Sequence, residues 1–186
     1  APNNLQMKKV ILLFNLVIVG FTATAQSTWE MIEKVEPSKD KVVIPYEKYK
    51  LPGNDLTLII HEDHSDPIVH VEVAYHVGSA RESIRNSGFA HFFEHMMFEG
   101  SQNVDEGDHF KIIGESGGTN NAYTSFDKTV YHQTAPSNMT ETLLWLEADR
   151  MGTHLESFTQ KQFENQRETV KNEKRQRYDN QPYGMV

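Results

Sequence analysis

The chain of 186 residues contains no cysteine. This absence excludes a disulfide framework, and it also excludes a lipid anchor attached through a cysteine thiol. The folded chain therefore has to be held together by non-covalent contacts.

An excess of positive charge is also absent. The chain has 18 Lys and Arg residues against 26 Asp and Glu residues, which gives a net charge of −8. A nucleic-acid surface needs a basic patch or stripe, so we expect no nucleic-acid partner. Apolar residues make up 38% and charged residues 24% of the chain, as is ordinary for a soluble domain with a sizeable core.

No apolar run reaches the ~20 residues that a membrane-spanning helix needs. Residues 10–21 form a shorter apolar run, interrupted by Asn15, that follows the basic residues Lys8 and Lys9. Residues 23–25 (ATA) then offer a cleavage site between small residues. This pattern predicts a signal peptide over residues 7–25 that is cleaved near Ala25. We expect export to a bacterial periplasm or the exterior, no stable membrane span, and residues 1–6 as an upstream remnant.

The rest of the chain is typical of an α+β domain. We interpret residues 26–44 as a linker with at most a short helix, and residues 45–186 as the domain. Strands are predicted at 42–50, 56–61 and 68–77, with a hairpin of 121–125 and 128–134. Helices are predicted at 88–98, 105–115, 136–151 and 159–178. Strands followed by helices indicate an antiparallel or mixed sheet with packed helices.

Two expectations about burial follow from the same patterns. Residues 68–77 alternate between apolar and polar side chains, which predicts one buried face of a strand and a polar face with His70 and His76. The helix at 88–98 is apolar almost all round and should be largely buried. In the helix that ends near residue 151, we expect four side chains to point inward: Leu143, Leu144, Leu146 and Met151.

The most informative segment is residues 91–95, HFFEH. In a helix, His91 and His95 project from one face, so that both imidazoles can bind one metal ion. Glu94 lies near that face, where its carboxylate can reach a water bound to the metal. Two imidazoles with one oxygen ligand leave an open position on zinc, as in hydrolytic sites. The order HxxEH is the reversed zincin motif, and it predicts one Zn²⁺ per chain.

The motif lies within a longer segment that resembles the insulinase/pitrilysin family of metallopeptidases. The likeness is carried by four blocks: residues 67–82 (PIVHVEVAYHVGSARE), 88–101 (GFAHFFEHMMFEGS), 117–131 (GGTNNAYTSFDKTVY) and 166–173 (QRETVKNE). These blocks occur in the family's order and span roughly residues 45–186, which makes the match specific. The resemblance implies the metal-binding N-terminal domain of that fold, truncated at its C-terminal end.

The resemblance also implies roles for individual residues. Glu173 matches the family's third zinc ligand, and Glu94 matches its general base. Asn121, Ala122 and Tyr123 match a strand beside the zinc that binds an extended peptide by main-chain hydrogen bonds, with Tyr123 lining a side-chain pocket. Two alternatives stay open: Glu94 as a structural carboxylate that orients a histidine, and Asn121 as a turn residue in a plain hairpin.

The chain departs from the family pattern at two points. Many members have a glutamate seven residues before the third ligand, whereas this chain has Gln166, which cannot share a proton. The family's later domains, which complete a clamp around the peptide, have no counterpart before residue 186. We therefore expect missing C-terminal domains or a partner subunit, and little peptidase activity from the chain alone.

The prediction for function is a zinc-dependent endopeptidase that hydrolyses extended or unfolded peptides. The alternative is a non-catalytic partner subunit or peptide-binding module of the same fold. Non-catalytic partners in the family have usually lost ligands of the HxxEH motif, and this chain retains them.

Overall fold

The structure, a computed structural model, describes residues 29–83 and 87–181. The chain divides into two compact units, residues 1–64 and 65–186. The predicted signal peptide at 7–25 and the upstream residues 1–6 lie outside the described residues. Within the described ranges, no helix is both long and apolar enough to cross a membrane.

The described part of the first unit is a three-stranded antiparallel sheet in the order β1-β2-β3. Its strands are β1 (Glu30–Val35), β2 (Tyr46–Lys50) and β3 (Thr57–Ile60). A turn at residues 52–54 joins β2 to β3, and it separates the two strands predicted at 42–50 and 56–61. The expectation of a linker with at most a short helix is wrong for Glu30–Val35, because this segment pairs with β2 along its length.

Strand β1 is held by pairing rather than by burial. Five of its six residues are exposed, so it lacks the apolar alternation that reveals a half-buried strand. Lys34 lies opposite Glu47 on β2, and their charged groups are 3.2 Å apart. The hydroxyl of Tyr46 donates a hydrogen bond of 2.8 Å to Glu33. Such cross-strand pairs stabilise a sheet without an apolar face.

The second unit contains another three-stranded antiparallel sheet, in the order β4-β6-β5. Its strands are β4 (Ile68–Tyr75), β5 (Thr119–Thr124) and β6 (Thr129–Pro136). Its helices are α1 (Phe89–Met96), α2 (Asp108–Glu115), α3 (Thr140–Ser157) and α4 (Gln160–Lys174), and α4 continues into a π-helical turn at Arg175–Asp179. The α+β prediction is confirmed, with antiparallel pairing in both described sheets.

The core of the second unit lies between its sheet and its helices. Strand β4 alternates between exposed and half-buried residues, as predicted. Partly buried Val69 and Val71 from its inner face pack against a fully buried cluster. That cluster consists of Val104, Ile113, Ala135, Leu143 and Leu146. Helix α3 thus covers the sheet through one stripe of side chains.

The prediction of four inward residues on α3 was wrong for two of them. Leu143 and Leu146 are fully buried, but Leu144 and Met151 are 52% and 45% exposed. The buried stripe continues instead through Glu147, Arg150 and His154. Glu147 and Arg150 form an ion pair through Arg150 Nη2, so polar side chains occupy positions that a simple apolar pattern assigns to leucine or methionine.

Helix α1 is less buried than its composition suggests. Phe92 and Met96 are buried, whereas Phe89 and Phe93 are 52% and 40% exposed. The buried pair is spaced four residues apart, which places both side chains on one face of the helix. The prediction of a largely buried helix was therefore wrong, and its opposite face is open.

Candidate metal centre

Helix α1 brings the two histidines of the motif together. The Nε2 atoms of His91 and His95 are 3.3 Å apart, and the ring centroids are 4.9 Å apart. The helix begins after Gly88, whose φ of 99° lies in the left-handed region that glycine adopts without strain. The Glu82 carboxylate accepts hydrogen bonds of 2.5 Å from Gly88 N–H and 2.6 Å from Ala90 N–H. A carboxylate there satisfies N–H groups that have no partner inside the helix.

Glu173 reaches the same point from α4. One of its carboxylate oxygens lies 3.6 Å from His91 Nε2, and the other lies 3.6 Å from His95 Nε2. Helix α4 starts with a capping box in which the Thr159 and Gln162 side chains each bond the other's backbone N–H. The structure thus brings together the three residues that the sequence predicted as ligands.

This arrangement suits a zinc ion. One ligand atom from each of His91, His95 and Glu173 can be chosen so that all lie within 4.8 Å of one another. Bonds of ~2.0–2.1 Å in a tetrahedron put ligand atoms about 3.3–3.4 Å apart, close to the separations found here. All three side chains are half-buried, so the centre keeps an opening to solvent. Two imidazoles and a carboxylate form the donor set of catalytic rather than structural zinc sites.

Glu94 is oriented from the neighbouring sheet. The hydroxyl of Thr124, at the end of β5, donates a hydrogen bond of 2.5 Å to Glu94 Oε2. Thr124 Oγ1 also lies 3.2 Å from Thr129 Oγ1, and the Thr129 hydroxyl donates to the Val77 carbonyl oxygen at 3.1 Å. A chain of hydroxyl groups therefore fixes one oxygen of the Glu94 carboxylate.

The three predicted substrate residues lie on β5, which forms an edge of its sheet in the described part of the chain. Asn121 and Tyr123 are exposed, and Ala122 is half-buried between them. The Ala122 N–H donates a hydrogen bond of 2.9 Å to Asn121 Oδ1, so this N–H points to the open edge of the sheet rather than to β6. The turn of this hairpin lies at residues 125–128, outside the position of Asn121.

Gln166, the departure from the family pattern, binds Glu99. Its Nε2 donates a hydrogen bond of 2.6 Å to Glu99 Oε1. Glu99 follows α1 and is only 9% exposed. Burial raises the pKa of Glu99, and the nearby Glu106 carboxylate raises it further, while the hydrogen bond from Gln166 acts in the opposite direction. This acid lies in the loop that follows α1, and its contact with Gln166 links that loop to α4, which carries Glu173.

Beneath α1 lies a buried polar network. The Arg150 guanidinium pairs with Glu147 and lies 4.3 Å from the centroid of the Tyr131 ring. The Tyr131 hydroxyl donates a hydrogen bond of 3.4 Å to the carbonyl oxygen of Phe93, which lies between the two histidines of the motif in the sequence. Burial raises the pKa of Tyr131, so its hydroxyl stays protonated as a donor. The network thus supports the helix that carries the metal motif.

Sequence reasoning missed Thr124 and Glu99. Thr124 lies in the family-like block 117–131, two residues after Ala122, and strand alternation places both side chains on one face. That alternation was the available signal for Thr124. For Glu99 there was no such signal, because its acidic side chain in a polar loop gives no sign of burial.

An α+β unit that brings a HxxEH helix and a distant glutamate together defines the class of HxxEH metallopeptidases. The family model described as Insulinase (Peptidase family M16) matches residues 57–185. The chain belongs to this family of peptidases.

Similarity to individual relatives is consistent with this membership. The chain is 38% identical over 120 residues to the zinc protease PqqE of Helicobacter pylori, covering 64% of this chain and 26% of that protein. It is 35% identical over 109 residues to insulin-degrading enzyme-like 2 of Arabidopsis thaliana, covering 58% of this chain and 11% of that protein. The chain therefore spans about a quarter or less of the length of these relatives.

Solved structures give the same result for the fold. A protease from Helicobacter pylori superimposes with a TM-score of 0.71 at 34% identity, covering 76% of this chain and 33% of that one. Pitrilysin superimposes with a TM-score of 0.68 at 22% identity, covering 80% of this chain and 16% of that one. At 22% identity, the second likeness concerns the fold alone.

Proposed function

We propose that this chain is the metal-binding part of a zinc-dependent endopeptidase that cleaves extended or unfolded peptides. The observation that carries the proposal is the grouping of ligand atoms of His91, His95 and Glu173 within 4.8 Å, with both histidines on the helix that also carries Glu94. The names of relatives such as the zinc protease of Helicobacter pylori support the choice of zinc.

The residues divide the chemistry between them. His91, His95 and Glu173 hold one Zn²⁺, which when bound supplies a Lewis acid that polarises the scissile carbonyl and acidifies a water molecule. Glu94 accepts the proton of the attacking water and delivers it to the leaving amine. Thr124 holds one carboxylate oxygen of Glu94 by a hydrogen bond of 2.5 Å, which leaves the other oxygen to take the proton.

The edge strand β5 binds the substrate as an added strand. Main-chain hydrogen bonds to an edge are largely independent of side-chain identity, which favours extended peptides over a single folded partner. The outward N–H of Ala122 is the donor for a peptide carbonyl, and the Asn121 side chain must release it first. In its released position, the Asn121 amide can hold a peptide carbonyl, and exposed Tyr123 can line a side-chain pocket.

Zinc binding by single-site variants tests the proposal. The chain should contain about one zinc per molecule, and His91→Ala and His95→Ala should each fall below about a tenth of an equivalent. His70→Ala is the matched control, because His70 is an exposed histidine on β4, and it should keep full zinc. Absence of zinc from the parent chain, or full occupancy in either motif variant, would overturn the metal centre.

The reaction is tested separately from the metal. In a full-length version of the protein, Glu94→Gln should retain zinc but lose roughly 10²–10⁴ in the rate of hydrolysis of an unfolded casein substrate, because an amide cannot accept the proton. A chelator should abolish hydrolysis by the parent protein. Near-normal turnover in Glu94→Gln would place the base elsewhere, and a full-length version that binds zinc and peptide without cleaving the peptide would favour a non-catalytic partner subunit.

We also propose that the protein is exported with cleavage near Ala25. The basic start, the apolar run and the small residues at 23–25 support this. Fusion of residues 7–40 to a reporter that is active only outside the cytoplasm should give a signal that disappears when Val17 is replaced by Arg. Reporter activity that is the same in both fusions would refute it.

A further inference from the structure

Glu173 reaches the two histidines only if α4 has one particular rotation about its own axis and one particular position along α1. Most of the half-buried residues of α4 form the face that decides this position. They are Gln162, Phe163, Gln166, Val170 and Glu173, which share one side of the helix, whereas half-buried Glu164 lies on the opposite side. Phe163 packs edge-on against Phe92 of α1, with ring centroids 4.9 Å apart. Apolar contact of this kind attracts the helices but fixes their register only weakly.

Directional contacts on the same face come from two glutamines. Gln162 Nε2 donates a hydrogen bond of 2.8 Å to the backbone oxygen of Glu99, and Gln166 Nε2 donates one of 2.6 Å to the Glu99 carboxylate. Glu99 lies three residues beyond the last residue of α1, and its N–H bonds the Met96 carbonyl oxygen at 2.9 Å. The loop that carries Glu99 is thus an extension of the helix that carries the histidines.

We infer that Glu99 and Gln166 are positioning residues that hold α4 in the register at which Glu173 faces His91 and His95. Gln166 and Glu173 are seven residues apart, which is close to two turns, so both side chains lie on one face about 10 Å apart along the helix. A bond at Gln166 therefore sets both the rotation and the height of Glu173. The inference rests on the proposed zinc site and adds residues that do not touch the metal.

The chemistry of the pair explains why an amide suits position 166. Glu99 is an acceptor when ionised, and a buried carboxylate needs a donor within hydrogen-bonding distance. Gln166 supplies that donor without adding charge. A carboxylate at position 166 would put two acceptors 2.6 Å apart in a poorly solvated site, and their repulsion would push α4 away from α1.

Reversal of the pair gives the test. In Gln166→Glu, the dissociation constant for zinc, measured by competition with a fluorescent chelator, should rise by roughly 10- to 100-fold, as for other groups that orient metal ligands. In the double variant Glu99→Gln/Gln166→Glu, an amide at 99 donates to a carboxylate at 166. This double variant should return to within about threefold of the parent value.

A matched control is available on the same helix. Gln160 Nε2 donates 2.9 Å to Glu164 at an exposed position, so Gln160→Glu makes the same replacement in a similar pair away from α1. Its dissociation constant for zinc should stay within about twofold of the parent value. The visible spectrum of bound Co²⁺ should change in Gln166→Glu and return in the double variant, because it reports ligand geometry.

Three outcomes overturn the inference: an unchanged dissociation constant in Gln166→Glu, an equal loss in Gln160→Glu, or a double variant as weak as the single one. If Gln166→Glu does not fold, the double variant must still fold and bind zinc. A double variant that does not fold or does not bind zinc would also overturn the inference. His91→Ala in the same assay separates the two proposals. Unchanged binding in His91→Ala refutes the zinc site, whereas lost binding there with normal Gln166→Glu refutes only the positioning role.

Discussion

The hydroxyl of Thr124 donates a hydrogen bond of 2.5 Å to one oxygen of Glu94, and this contact joins the proposed substrate strand to the proposed general base. The bond fixes which of the two carboxylate oxygens of Glu94 is free. A change at the end of β5 therefore acts on the base directly.

In a full-length version of the protein, replacement of Thr124 by valine should reduce the rate of peptide hydrolysis with little effect on zinc. Loss of a hydrogen bond to a charged group costs on the order of 1.5–3 kcal/mol, or about 10-fold or more in turnover if the bond matters in the transition state. Thr124→Ser keeps the hydroxyl and should retain most of the activity. Steady-state kinetics, with zinc content measured on the same samples, tests this prediction. Equal turnover in Thr124→Val and Thr124→Ser would contradict the orienting role of the hydroxyl.

The order of the elements and the choice of ligands were accessible from the sequence because both depend on local patterns. A spacing of four residues places His91 and His95 on one face of any helix, whatever surrounds it. Glu173 was accessible only through the resemblance of its block, since it otherwise looks like one acid in a charged helix. Helix ends were displaced by a few residues because fraying and capping are decided by atoms outside the pattern.

The contacts between elements could not be obtained from the sequence. Strand β1 has charged residues on both faces and is stabilised by pairing with β2, so it gives no apolar period. The buried pair of Glu147 and Arg150 breaks the apolar stripe of α3, which led to the wrong placement of Met151. The contacts of Glu99 and Thr124 join segments that are distant in the sequence, and only the fold brings them together.

The carboxylate of Glu82 should stabilise the start of α1. It accepts bonds from two N–H groups of the first turn, so Glu82→Ala should lower the free energy of unfolding by about 1 kcal/mol. Glu141→Ala is the control, since Glu141 is also in the first turn of a helix but is exposed, and the start of α3 has no side-chain cap. Urea unfolding of metal-free protein measures both, and an equal loss in the two variants would show that the cap contributes nothing specific.

The ion pair between Arg150 and Glu147 should be costly to break from one side. Both residues are 3% exposed, so Arg150→Met leaves a buried carboxylate without its cation, at a cost of about 3–5 kcal/mol. Removal of both charges in Glu147→Leu/Arg150→Met should recover a large part of that loss, although Gln133 then loses one acceptor. Urea unfolding of the parent and of both variants measures these free energies of unfolding. A double variant less stable than Arg150→Met would contradict the explanation by an unpaired charge.

Acid should destabilise the second unit through His109. Burial, with the positive charge of Arg150, lowers the pKa of His109 to about 4, so the folded protein keeps this ring neutral where the unfolded chain protonates it. His109 then has no effect on stability above its unfolded pKa of ~6.5. Between pH ~6.5 and ~4 it lowers the free energy of unfolding progressively, by roughly 3 kcal/mol in total, and it adds no further change below that range.

Replacement of His109 by glutamine removes this proton uptake while keeping an amide donor for Gln133 Oε1, which lies 3.3 Å from His109 Nε2. The free energy of unfolding of His109→Gln should therefore fall less steeply than that of the parent between pH 6.5 and 4. His64→Gln serves as the control because His64 is exposed, and it should follow the parent curve. Urea unfolding at a series of pH values, with a chelator present so that loss of metal does not contribute, measures the slopes. Parallel curves for the parent and His109→Gln would show that another group takes up the proton.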